Sequence, residues 1–163
     1  MKILICTDGS ITSNEGIKCV VGALRKDNAY TVLYVLSEHG IYYSYKSIFK
    51  EDLEKIEELF GGIDSEKEAA KKLFLSPVCD YMKREGFNVR GTVREGHVVE
   101  EILEEINEEG YDMVMLGDKK GFSPARILLG STVSEVMHRA KVCVMVIKPP
   151  LSAHDHPNVA RHV

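Results

Sequence analysis

The chain has no apolar run approaching the ~20 residues that a membrane span requires, and no dense basic stripe. Its 21 lysines and arginines are outnumbered by 25 aspartates and glutamates, for a net charge of −4, which argues against nucleic acid as the main partner. The four cysteines, Cys6, Cys19, Cys79 and Cys143, are widely separated, with no C-x-x-C pair and no zinc-ligand spacing. Cys6, Cys19 and Cys143 fall in apolar patterns, so they are expected to behave as small buried hydrophobes rather than redox or metal groups. Short catalytic motifs are missing as well: the chain has no G-x4-G-K-[ST], G-x-G-x-x-G, H-E-x-x-H or G-x-S-x-G. His97 and His138 stand without an evident partner and read as structural or capping residues, because a general base needs a positioned one. No catalytic constellation is expected.

The N-terminal MKILICTDGS carries one Lys and a short apolar run, without the length or cleavage-site pattern of a secretory signal. It reads as a first strand, and a cytoplasmic protein is expected. At 163 residues, 44% hydrophobic and 28% charged, the chain suits one soluble α/β domain over residues 1–150. The polar tail at 151–163 holds His154, His156 and His162. It lacks the acidic ligands of a metal cage, so no physiological metal site is expected there.

Strand-like and helix-like patterns alternate along the domain. Lys2 to Cys6 is a short β run, followed by Thr7-Asp8-Gly9-Ser10. Thr12 and Glu15 have capping-box spacing, and Ile17, Val20, Val21 and Leu24 then mark one helix face. Tyr30 to Leu36 is apolar almost throughout, as in a parallel strand buried on both sides. An insertion or arm is expected at about 37–63, with Tyr42, Tyr43 and Tyr45 clustered in it and a helix face of Phe49, Leu53, Ile56 and Phe60. Its tyrosines read either as loop residues against a helix or partner, or as stacking groups for a ligand. Ser65 and Glu68 form a second capping box, and Pro77 should kink the long helix that follows near Leu73 to Pro77. Phe87 to Val93 reads as the third strand. The helix from Val98 to Ile106 carries an acidic face, Glu100, Glu101, Glu104, Glu105, Glu108 and Glu109, expected to be solvated.

Met113 to Leu116 is the fourth strand and ends at Gly117. A loop of charge, Gly and Pro leads to Gly130-Ser131 and a last helix through Val133, Val136, Met137 and Ala140. Val142 to Ile147 is the fifth strand. Strand, glycine-bearing loop and helix start form a usual geometry for phosphate, since backbone N–H groups and the helix dipole converge there. The whole alternation predicts an open five-stranded parallel sheet with helices on both faces, a Rossmann-like fold. Ligands in such sheets bind outside the carboxyl ends of the strands, which singles out Asp8, Val35 and the loop from Gly117.

With ICTDGSITSNEGI, VREGHVVEEILEEINEEGYDMVMLG and LLGSTVSEVMHRAKVCVMVIK in those places, the chain resembles the universal stress protein family over nearly its whole length. The resemblance implies an adenine nucleotide alpha hydrolase-like sheet in the order 3-2-1-4-5. It also implies an adenine and ribose pocket lined by Thr7, Asp8 and Val35. The phosphates would then be held by Gly117, Gly130, Ser131 and Thr132, with Leu116 leading into the loop. ATP is the implied ligand, alone or with Mg or Mn. Members that bind ATP carry Gly-x2-Gly-x9-Gly-(Ser/Thr). Here Gly117, Gly130 and Ser131 fit, but the second position is Lys120 and the glycine comes one residue late, at Gly121. A lysine where the backbone takes φ > 0 costs roughly 1–3 kcal/mol of strain.

Two outcomes stand open: a shifted register with Gly121 at the phosphate and Lys119 or Lys120 as a positive ligand, or a loop that no longer holds ATP. Each residue also has a plainer role. Asp8 could cap the following turn, Ser131 could cap the last helix, and Gly130 could be a turn glycine. The corresponding functions are a regulatory ATP-binding module, a nucleotide-free interaction protein of the same fold, and a slow ATPase or nucleotidyl-transfer enzyme. For the last, the T-D-G-S-I-T-S run is only distantly similar to a pyrophosphate loop, S-G-G-x-D-S. The apolar last strand, Val142 to Ile147, would be an aggregation hazard if left bare. The resemblance implies that it pairs with its equivalent across a homodimer.

Overall fold

The computed structural model describes residues 1–37, 65–117 and 129–148. The arm beyond Ser37, the residues from Asp118 to Leu128 with Lys120 and Gly121, and the tail lie outside them. Five parallel strands form one sheet: β1 (Lys2–Thr7), β2 (Ala29–Leu36), β3 (Asn88–Glu95), β4 (Met113–Gly117) and β5 (Cys143–Ile147), in the order β3-β2-β1-β4-β5. That is the expected order. The helices are α1 (Ile11–Val21), α2 (Glu66–Ala70), α3 (Ser76–Arg84), α4 (Val98–Glu109) and α5 (Ser131–Arg139), with a π-helical turn, Lys71–Leu75, joining α2 to α3.

Side chains alternate across a strand with period two, and the core divides accordingly. Ile3 and Ile5 of β1, Tyr30, Val32, Tyr34 and Leu36 of β2, and Met115 of β4 pack with α1, α2, the π turn and α3. Leu4, Leu33, Val114 and Leu116 pack with α4 and α5 through Val99, Ile102, Leu103, Ile106, Val133 and Val136. β1 pairs on both edges, Cys6 lying opposite Leu33 of β2 and Leu116 of β4.

Local signals explain most boundaries. Ser65 caps α2 by accepting from the Glu68 N–H at 3.3 Å. Gly110 ends α4 in the left-handed region at φ 66, where a side chain is disfavoured. The expected break near Pro77 is the π turn. Buried positions recur every four residues, Ala70, Phe74, Val78 and Met82. That spacing drifts about 40° per step around a helix of 3.6 residues per turn. A turn closed by i→i+5 bonds is wider and absorbs part of the drift. Ser76 Oγ donates to the Lys71 carbonyl at 3.1 Å.

Three expectations are corrected. The cap of α1 is Ser10, in extended backbone with Oγ accepting from the Ser13 N–H at 3.1 Å, and not Thr12; the helix begins two residues earlier than that cap implies, at Ile11. Cys19 and Cys143 are exposed, because α1 turns Cys19 outward and β5 is an edge strand with one side uncovered; Cys6 is half-buried and Cys79 buried. The acidic face of α4 is only partly solvated. Arg94 of β3 reaches across to Glu101 at 2.6 Å, Glu108 at 2.8 Å, Glu104 at 3.1 Å and Glu105 at 3.3 Å. Glu105 is 5% exposed and also accepts from the Tyr111 hydroxyl at 2.9 Å. These hydrogen bonds raise the guanidinium's pKa above its ordinary value, so Arg94 stays charged.

Removing one partner of a mostly buried ion pair leaves the other uncompensated. Arg94→Leu should therefore lower stability by roughly 2–4 kcal/mol in urea titration, because Glu105 loses its cation. Lys67→Ala removes a bridge to Glu95 between two exposed side chains and should cost less than about 1 kcal/mol.

Candidate functional site

In a β-α-β unit of a parallel sheet, the helix runs back against its strands and begins at their carboxyl ends. α1 follows β1 and α5 follows β4, so both helix starts lie at one rim. The chain leaves β1 toward β2 on one side, while β4 lies on the other. The switch point of the sheet is therefore between β1 and β4.

The turn after β1 is tied internally. Gly9 donates its N–H to Thr7 Oγ1 at 3.0 Å, and Ser10 donates to Asp8 Oδ1 at 2.9 Å. Both are side-chain turns of the kind Thr and Asp favour. Thr7 Oγ1 also lies 3.1 Å from Ser13 Oγ and donates to Asn14 Oδ1 at 3.4 Å. Thr7, 7% exposed, thus spends its hydroxyl on the loop and the first turn of α1. Gly9 sits at φ 77. Beside this turn, burial and then the Glu105 carboxylate push the Cys6 thiol far above its ordinary pKa, which keeps it protonated and poorly nucleophilic.

Of the expected site residues, the sheet brings together Thr7, Asp8, Val35, Leu116 and Gly117. Thr7 lies opposite Tyr34, one residue short of Val35, and Leu116 lies opposite Cys6, one residue short of Gly117. Val35 is half-buried and packs on the α4 side of the sheet. Leu116 is buried in that core, so it contributes backbone at most. Gly117 is exposed, and a Cβ built on it would lie 3.7 Å from Ser13 Oγ. That places the end of β4 against the start of α1.

Gly130 takes the N-cap position of α5 and offers no side-chain hydrogen bond; its carbonyl accepts from the Ser134 N–H at 2.9 Å. Ser131 is the first helical residue and is exposed, with Thr132 half-buried. The plainer role for Ser131, capping the helix, is therefore not the one it takes. Among the described residues, no N-cap side chain bonds to the N–H groups of the first turn, the arrangement that suits an anion. Ser10, Ser13 and Asn14 were not singled out as site residues from the sequence. The serine three residues before Ser13 was the available signal, overshadowed by the Thr12 and Glu15 spacing.

Among the described residues, no group of three His, Cys, Asp or Glu is placed to hold a metal ion. No helix among them is long and apolar enough to cross a membrane. His138 Nδ1 lies 2.7 Å from the Ser134 carbonyl one turn back, as a structural histidine does.

No curated protein sequence matches the chain. Among solved structures, it is similar to the hypothetical protein MJ0577 at 27% identity and TM-score 0.64, covering 93% of this chain and 97% of that one. A universal stress protein family protein from Arabidopsis thaliana, At3g01520, with AMP bound, has TM-score 0.64 at 16% identity, covering 98% and 97%. A universal stress protein from Archaeoglobus fulgidus in complex with dAMP has TM-score 0.58 at 18% identity, covering 91% and 98%. The latter two likenesses are of fold. The model of the universal stress protein family matches residues 1–148, nearly the whole sequence, and the chain belongs to that family.

Proposed function

We propose that the protein is a regulatory module that binds an adenine nucleotide, ATP, across the carboxyl ends of β1, β2 and β4, and works as a homodimer in a stress response. The observation that carries this reading is the start of α5. Gly130 leaves the first turn without a side-chain cap, and the helix begins at the same rim as the Thr7–Ser10 turn and Gly117. Backbone N–H groups and the helix dipole there favour phosphate. Asp8 and Val35 would line the adenine and ribose, and Gly130, Ser131 and Thr132 would hold phosphate through N–H and hydroxyl groups. Gly117 lets the backbone pass close by, and Lys120 and Gly121 would complete the loop. Mg²⁺ or Mn²⁺ would accompany the triphosphate, supplying charge neutralisation. The AMP and dAMP in the two family structures support an adenine nucleotide. We read the activity as binding rather than turnover.

The dimer is proposed through β5. Cys143 and Met145 are exposed on one side of this edge strand, Met145 at 39%, and an apolar edge needs a cover.

Purified protein should release adenine nucleotide on acid extraction, or show a melting shift with millimolar ATP; the absence of both would sink the proposal. Asp8→Ala should weaken ATP at least tenfold by calorimetric titration. In the same titration, Lys120→Gly discriminates between the two states of the loop. Tighter binding means that the lysine obstructs the phosphates, and weaker binding means that it holds them. Light scattering at micromolar concentration should give twice the chain mass, and Met145→Lys should give the monomer. A monomeric parent protein would contradict the β5 dimer.

A further inference from the structure

Phe74 lies in the π turn, far in sequence from the β1–α1 turn, yet it is the residue on which that turn rests. It is fully buried and stacks on Tyr34 of β2, with ring centroids 4.6 Å apart and planes at 23°. Its ring occupies the space a side chain at Gly9 would need: a Cβ built there would lie 2.7 Å from Phe74 Cγ and 3.1 Å from its Cβ. Gly9 is also at φ 77, where a side chain is strained whatever the space. The next residue, Leu75, packs onto β3, where a Cβ on Gly91 would lie 3.2 Å from Leu75 Cδ1 and from Cys79 Sγ. The turn therefore presses two consecutive side chains inward, Phe74 under the β1–α1 turn and Leu75 against β3. Single π turns within α-helices occur frequently at functional sites.

We infer that Phe74, held by the π turn and stacked on Tyr34, is a positioning residue for the nucleotide site. It fixes the backbone of Thr7–Ser10, and so aims Asp8 from beneath through Gly9. The inference rests on the nucleotide reading above and adds a residue to it that touches no ligand. Gly9 matches the arrangement from the other side, because only a residue without Cβ lets the ring approach. The aromatic stack links this turn to the end of β2, where Val35 follows Tyr34, so two edges of the adenine pocket share one support.

The test uses the full-length protein, AMP and ATP as titrants, and amide hydrogen exchange at Gly9, whose N–H is bound to Thr7 Oγ1. Phe74→Leu keeps bulk in the core but loses the flat ring. It should weaken both nucleotides about tenfold and speed Gly9 exchange about tenfold. Ile106→Ala, a deep truncation on the opposite face of the sheet, should lower stability at least as much and leave both readouts within twofold of the parent. Gly9→Ala should cost affinity in the parent and less in a Phe74→Ala background, since the ring clash is then gone and only the Cβ contact and the backbone strain stay. Unchanged affinity in Phe74→Leu, equal losses in Ile106→Ala, or independent effects of the Gly9 and Phe74 changes would overturn the inference. If the parent protein binds neither AMP nor ATP, the nucleotide reading fails by itself. Gly9 exchange then decides the support: faster exchange in Phe74→Leu upholds it, and unchanged exchange overturns it.

Discussion

Everything in this molecule depends on β1 being paired on both sides. Parallel pairing with β2 and β4 satisfies its backbone groups, and helices on both faces keep Leu4 and Ile5 fully out of water. A strand enclosed in this way must release the chain at its carboxyl end, and the chain must turn at once because the rim is crowded. The Thr7–Ser10 turn is the result. Its short polar side chains satisfy the backbone N–H groups that a tight turn leaves over. The switch point between β1 and β4 lies beside it as a consequence of topology, before any residue chooses a ligand.

Which residues serve the turn follows from those bonds. Thr7 has a committed hydroxyl, and Leu116 has a buried side chain. Asp8 gives one carboxylate oxygen to the Ser10 N–H, and Gly130 brings no side chain to the start of α5. A helix that begins on glycine forgoes a side-chain cap at a cost of only about a few tenths of a kcal/mol. Leaving such a helix start open is a local stability cost that makes sense where another group supplies the missing acceptor.

The fold was legible in the sequence because its signals are local. Ser65 and Gly110 punctuate helices where they stand, and the doubly apolar β2 announces a central strand. Even the drift of the long helix left a trace in Pro77. Features that depend on distant packing were not legible. The acidic face of α4 looked like a solvated stripe because Arg94, on another element, is what draws Glu105 inward. Cys19 and Cys143 looked buried because apolar neighbours in sequence do not reveal which way α1 turns or that β5 is an edge. The cap was misplaced at Thr12 because its spacing to Glu15 matches a capping box, and the extended backbone that makes Ser10 the cap is not visible in the sequence. At the site, the switch point was readable from the alternation of elements. The support beneath Gly9 was not, since Phe74 is 65 positions away and its turn is a π turn that no periodicity rule expects.

That π turn makes length, and not only composition, a constraint on the segment from Glu66 to Arg84. A helix of uniform pitch tolerates many exchanges of one apolar residue for another, because each position keeps its direction. Here two stretches of α-helix are held out of phase by one wide turn, and the phase difference is what lets residues on either side face the same core. Loss or gain of a single residue between Lys71 and Leu75 would rotate one stretch against the other, whatever side chains were present. In such a helix the count of residues is itself part of the packing.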